Sequence, residues 1–157
     1  GTLMFFMNKD GDGGRQGRSE QLIILGNQRG RRGAELKCMN EIERKAPGTF
    51  SRGLREKTVD TKGFDTERMA IKEEEVSYVI GKEASTHKKL EKAAGAILQF
   101  IGRFAFIAGN LRERKNCRDY ICWLLAQLRG AVTIPDVSRR DDCTEVHIPV
   151  NCKGWVT

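Results

Sequence analysis

The sequence predicts an α+β fold built from one complete unit and parts of two others. Three observations carry this. The stretch RMAIKEEEVSYVIGKEASTHKKLEKAAGAILQF changes from period-two alternation to helical spacing and back. A glycine, Gly81, divides its helical part in two. And two pairs of stretches in the chain repeat each other.

The complete unit spans residues 66–130. Its first element is a short strand, RMAIK, with Met69 and Ile71 on the inward face. Glu73, Glu74 and Glu75 then open a helix, where acidic groups complement the dipole. Val76, Val79 and Ile80 form its apolar face, and Gly81 stops it. A second helix covers residues 86–94, with Leu90 and Ala94 inward and Lys88, Lys89 and Lys92 outward. Gly95 ends it, as a glycine after a helix does. AILQFI and FAFIAG are β-prone runs joined tightly at Gly102-Arg103. A last helix follows, with Cys117, Ile121, Leu124, Leu125 and Leu128 on one stripe. The order is β-α-α-β-β-α.

The repeats set the boundaries. Gly1 faces Gly95, and Gly26-Asn27 faces Gly109-Asn110. Ala34, Cys38 and Ile42 fall opposite Cys117, Ile121 and Leu125. Residues 1–46 therefore read as the C-terminal half of a unit, β-β-α, with a flexible loop inserted at 8–19. Residues 47–65 and 131–143 are linkers, rich in glycine and charge or lacking periodicity. In residues 144–157, Val146 and Ile148 face Met69 and Ile71, and Trp155-Val156 faces Tyr78-Val79. This reads as the start of a further unit, a strand and a helix beginning. The two partial units are expected to dock with each other or with units outside the chain. The chain opens on Gly1 and is read as a segment of a longer array.

The charge balance is basic: 28 Lys and Arg against 21 Asp and Glu, a net +7. It suits a polyanion such as RNA, DNA or an anionic surface, and equally a basic protein with no anionic ligand. No apolar run is long enough to span a bilayer, so no membrane partner is expected. The five cysteines include no CxxC pair, and neither His87 nor His147 has finger-like spacing. No metal site is expected, and reduced cysteines fit an intracellular compartment, cytoplasmic or nuclear. No serine or cysteine has a histidine and an acid at any nucleophile spacing, and no P-loop or dinucleotide fingerprint occurs. The GDGGRQG stretch lies in the inserted loop and reads as linker. No catalytic residue and no cofactor are expected.

The stretch VSYVIGKEASTHKKLEKAAGAILQF resembles the core of a K-homology (KH) domain of type I topology. The resemblance covers residues 66–130 well and the flanking parts less fully. It implies a three-stranded sheet with helices on one face. It also implies a groove for about four unstacked nucleotides of single-stranded RNA, or of single-stranded DNA. In that family a Gly-x-x-Gly loop holds the phosphates, since helix N-termini present free N–H groups and glycine permits close approach. Carried over, Gly81, Lys82, Glu83 and Ala84 are the clamp. Val76, Ser77, Val79 and Ile80 are the groove wall, and Lys88, Lys89 and Gln99 are peripheral contacts.

Four positions depart from the family pattern. Ala84 stands for the second loop glycine, where its methyl would block either a left-handed backbone or the approach of a phosphate. Glu83 puts a negative charge beside the clamp. Ser77 stands where glycine is common, and Ile97 where the central strand often has a basic residue. These departures define an alternative, a KH-fold scaffold with a degenerate loop. Its protein-binding surface would lie around Tyr120 and Trp123, and its partners would include other KH units. Arg112, Arg114, Lys115 and Arg118 read as a solvated helix face. His87 is expected to be partly buried.

Overall fold

The computed structural model describes residues 1–8 and 20–156. The expected inserted loop and its GDGGRQG stretch lie outside the described residues. The elements run β1 (Leu3–Asn8), β2 (Glu20–Leu25), α1 (Gln28–Lys45), β3 (Asp65–Ala70), α2 (Glu73–Ile80), α3 (Ser85–Ala94), β4 (Ile97–Ile101), β5 (Phe104–Gly109) and α4 (Leu111–Gln127). From β3 to α4 this is the expected β-α-α-β-β-α order.

β5 is the central strand of an antiparallel sheet ordered β3-β5-β4. All six of its residues are buried, which is what a strand covered on both faces requires. Gly102, at φ 58°, makes the two-residue turn between β4 and β5, where a positive φ matches the strand twist. Leu98, Phe100, Ala105 and Ile107 point to one face. There they meet Val79 of α2, Leu90 and Ala94 of α3, and Cys117, Ile121 and Leu125 of α4. The unit's own three helices thus share one face. Leu128, placed by spacing on the same stripe, is instead 48% exposed, because α4 ends at Gln127.

The other face is also covered, by the flanking helix. Ile101, Phe104, Phe106 and Ala108 pack with Leu36 of α1, and Met39, Phe50, Leu54 and Phe64 close the cluster. Leu36 is 1% exposed. The N-terminal part therefore docks on the sheet of the complete unit, not on the C-terminal part. A helix end and a turn are fixed as well. Arg29 bonds Glu113 at the start of α4 and the Gly95 carbonyl. Glu43 accepts from Gly48 N (2.6 Å), Phe50 N (2.8 Å) and Ser51 Oγ (2.5 Å). Burial pushes the Glu43 pKa up, but these donors outweigh it and hold the carboxyl below its usual value.

The connector before β3 is built into the domain through Arg114. This residue was expected on a solvated face and is fully buried. Its Nε donates to Glu67 Oε1 at 3.1 Å, and its two terminal nitrogens reach the carbonyls of Gly63, Gly109, Val59 and Thr61. All five guanidinium N–H groups are used, which is how a buried charge becomes tolerable. Arg118 also departs from a free face, donating to Glu67 Oε2 at 2.8 Å.

The connector after α4 folds back across it. Arg140 lies over the Trp123 ring, 4.7 Å from its centre, and Asp142 accepts from Tyr120 Oη at 2.7 Å. Beyond it, the expected strand at 144–149 does not form, and Val150–Trp155 is a 3-10 segment. An isolated strand has no ladder partner to stabilise it.

The β1–β2 hairpin reproduces β4–β5 pair for pair. Leu3 opposes Leu25 as Ile97 opposes Ala108, and Met4 opposes Ile24 as Leu98 opposes Ile107. These are the pairs that the sequence repeat aligns.

Candidate nucleic-acid interface

The turn between α2 and α3 is left-handed in backbone. Gly81 has φ 72°, ψ 170°, and its N–H still donates to the Ser77 carbonyl at 2.9 Å. A side chain at Gly81 would sit 2.8 Å from Thr86 Cβ and 3.0 Å from the Thr86 nitrogen, so glycine is required there on two counts. Glu83 (φ 53°, ψ 30°) and Ala84 (φ 58°, ψ 27°) both occupy the left-handed region. The Ala84 methyl therefore does not prevent the left-handed backbone; it is accepted at a cost of about 1–2 kcal/mol. Lys82 and Glu83 are exposed, and Ala84 is half-buried. No side chain caps the start of α3, so its first N–H groups lack a side-chain partner.

Three of the predicted wall residues come together. Val76, Ser77 and Ile80 line one side of a groove of about 540 Å³. Arg103 from the β4–β5 turn, Phe104 at the start of β5, and Gly48 and Ser51 from the turn after α1 line it as well. The Arg103 guanidinium lies over the Phe104 ring at 5.0 Å. Glu43 and Glu73 also border this space. The Glu43 carboxylate is engaged by Gly48, Phe50 and Ser51.

Two predicted contacts are placed elsewhere. Val79 is 0% exposed and belongs to the core, because it is the α2 position that faces the sheet. Gln99 is 6% exposed and accepts from Asn40 Nδ2 at 3.3 Å, so α1 covers it. Lys88 and Lys89 are exposed on α3. Lys89 borders a different groove, of about 740 Å³, between α3, α4 and the last connector. Apolar Leu90, Leu124, Val132 and Ile134 line that groove.

Arg103 and the 47–51 turn were not expected at the site. Arg103 carries a sequence signal, a basic residue at the tip of a two-residue turn, but not one specific to a binding site. The 47–51 wall carried none, since nothing in its composition ties it to α2.

His87 is half-buried as expected. Its Nε2 lies 2.5 Å from the Leu98 carbonyl, which assigns a proton to that nitrogen, and its ring meets Phe100 edge-on. Cys117 is buried, and burial pushes its thiol up to about 12, which removes it as a nucleophile. Among the described residues, no group of three or more His, Cys, Asp or Glu is placed to hold a metal. Among them also, no helix is long and apolar enough to cross a membrane.

No protein-family model and no curated protein matches the chain. Among solved structures it is similar to the solution structure of the first KH type I domain from human Vigilin. The identity is 16% and the TM-score 0.40, covering 55% of this chain and 98% of that one.

Proposed function

We propose that the chain binds single-stranded nucleic acid, RNA foremost, in the groove beside the Gly81–Ala84 turn. The observation that carries this is the groove itself. The Val76–Ser77–Ile80 face of α2 lines it together with Arg103 and Phe104; Gly81 to Ala84 do not line it, but α2 leads directly into their turn, which has three residues of positive φ.

Each part has a physical role. The turn and the uncapped start of α3 offer main-chain N–H groups to a phosphate. Lys82 adds a mobile positive charge. The apolar wall takes the faces of unstacked bases, and Arg103 supplies a guanidinium that can stack or bond to a base edge or phosphate. Glu83 opposes this attraction, so a single unit binds weakly and gains from several linked sites. The role is binding, with no catalytic group assigned.

The second reading, a scaffold that meets a protein or another KH unit, is favoured by the apolar groove between α3 and α4. Salt separates the two. Anisotropy titrations of short single-stranded RNA and DNA at two salt concentrations would compare wild type with Lys82→Asp/Glu83→Asp. Salt-sensitive binding that the variant loses supports the groove. Binding that survives moves the site to the basic helices or to Arg29–Arg32. No binding by either protein leaves the scaffold.

A further inference from the structure

We infer that the turn after α1, upstream of the complete unit, is a wall of the nucleic-acid site, with Arg52 as a further phosphate contact and Glu43 as the residue that positions the turn. The inference rests on the reading of the groove as a nucleic-acid site.

The turn is fixed in place by its own contacts. Pro47, Gly48 and Ser51 line the groove together with the exposed face of α2. Glu43, on α1, is only 6% exposed. Its carboxylate accepts from the Gly48 N–H, the Phe50 N–H and the Ser51 hydroxyl. Phe50 packs into the same apolar cluster as Phe104. Ser51 meets the β4–β5 turn, where a Cβ added at Gly102 would lie 2.7 Å from Ser51 Cβ. The wall is therefore seated against the residue that precedes Arg103. With three donors on its oxygens, Glu43 shapes the wall and has little left to offer a ligand.

The charges point to a phosphate. The Arg52 guanidinium lies against Gly48, where an added Cβ would meet its Nη2 at 3.5 Å. Arg52 and Arg103 are both exposed. Among the described residues, neither forms an ion pair with a carboxylate. A phosphate satisfies such a guanidinium through two parallel bonds. Glu73, in the first turn of α2, also lines the groove. It repels a phosphate there and favours the path past Arg103 and Arg52.

The test titrates the whole 157-residue protein into a short, labelled, mixed-sequence single-stranded RNA over a range of salt. Arg52 is exposed, so Arg52→Gln keeps its fold, which circular dichroism checks. It should weaken binding several-fold at low salt and make the slope of log K against log salt shallower by about 0.7, the value of one single-strand phosphate contact. Lys115→Gln removes the same charge from the outer side of α4 and should leave the slope unchanged. Glu43→Gln gives a sign that charge alone cannot. Losing a negative charge should tighten RNA binding, but the amide has one acceptor oxygen for three donors, so the wall loosens. Binding should weaken several-fold with the salt slope unchanged, and hydrogen exchange at Gly48 and Phe50 should quicken. If Glu43→Gln does not fold, Arg52→Gln decides alone. Wild-type affinity and slope in Arg52→Gln, while Lys82→Asp/Glu83→Asp loses binding, overturn the inference and leave the groove reading standing. Equal losses in Arg52→Gln and Lys115→Gln overturn it as an effect of net charge. No RNA binding by the wild type overturns both.

Discussion

Arg114 Nε and Glu67 Oε1 lie 3.1 Å apart, with side-chain exposures of 0% and 3%. The pair fastens β3 to α4, and the same guanidinium holds the first connector through the carbonyls of Val59, Thr61 and Gly63. Arg114→Ala leaves the Glu67 carboxylate buried with the partly exposed Arg118 as its one remaining charged partner and a long bond from the Val59 N–H. A loss of about 3–5 kcal/mol is expected in urea unfolding. Replacing both partners with apolar residues often recovers such a loss, but here it should not. Four carbonyls, of Val59, Thr61, Gly63 and Gly109, would still lose their donors. A double variant, Arg114→Met/Glu67→Leu, as stable as wild type would refute this account.

The turn at 81–84 separates two kinds of substitution. Gly81→Ala meets both an unfavourable backbone and Thr86, and should destabilise by about 1–3 kcal/mol. Ala84→Gly relieves a left-handed alanine and should stabilise by roughly 0.5–1 kcal/mol. If the turn grips phosphate, Ala84→Gly also tightens RNA binding, because the methyl leaves the approach path. Stability by thermal unfolding and affinity by anisotropy are read on the same samples. Equal affinity with raised stability would confine the effect of Ala84 to the backbone.

α1 is predicted to be part of the folding unit. Leu36→Ala removes a side chain packed on Phe104 and Phe106, and should cost about 2–5 kcal/mol. Hydrogen exchange should quicken in β5 as well as in α1. Protection lost in α1 alone would mean that the sheet holds without it.

Acid should release the last connector before it unfolds the core. Arg140, then Tyr120, lowers the Asp142 pKa to about 2. A lowered folded-state value gives stability that is present above the unfolded value, about 3.9, and is lost as pH falls through 2. In a Trp155→Phe background, Trp123 emission should shift across that window, and Asp142→Asn should show the shifted emission already at pH 7. At the alkaline end, burial and Asp142 push Tyr120 up to about 12. Its contribution is full below about pH 10 and is lost as pH rises through 12. Emission that follows neither window would place Trp123 outside the control of this cluster.

The sequence made the complete unit legible because each of its elements is locally signed. The glycine at 81 breaks one helix, the one at 95 ends another, and the alternation of Met69 and Ile71 marks a strand. The hairpin register was legible through the repeat. What escaped was decided by contacts distant in sequence. Arg114 sits among basic residues, and only the five acceptors gathered from 59–67 and 109 bury it. Val79 and Gln99 look like site residues until the sheet and α1 cover them. Leu36 lies on the face opposite to Ala34, Cys38 and Ile42, the stripe that the repeat aligns, so the repeat gives no sign of its burial. The C-terminal strand had the right pattern but no neighbour with which to form.

The position of α1 changes where the stability of the complete unit is held. A domain pictured as a bead on a string would be stable alone. Here Leu36, on a helix upstream of residue 66, is buried against Ile101, Phe104, Phe106 and Ala108, so part of what holds the sheet comes from outside the span whose pattern marks the unit. Cutting before residue 66 would uncover Ile101, Phe104 and Phe106, and the natural boundary of the folded module lies upstream of the unit that gives it its pattern.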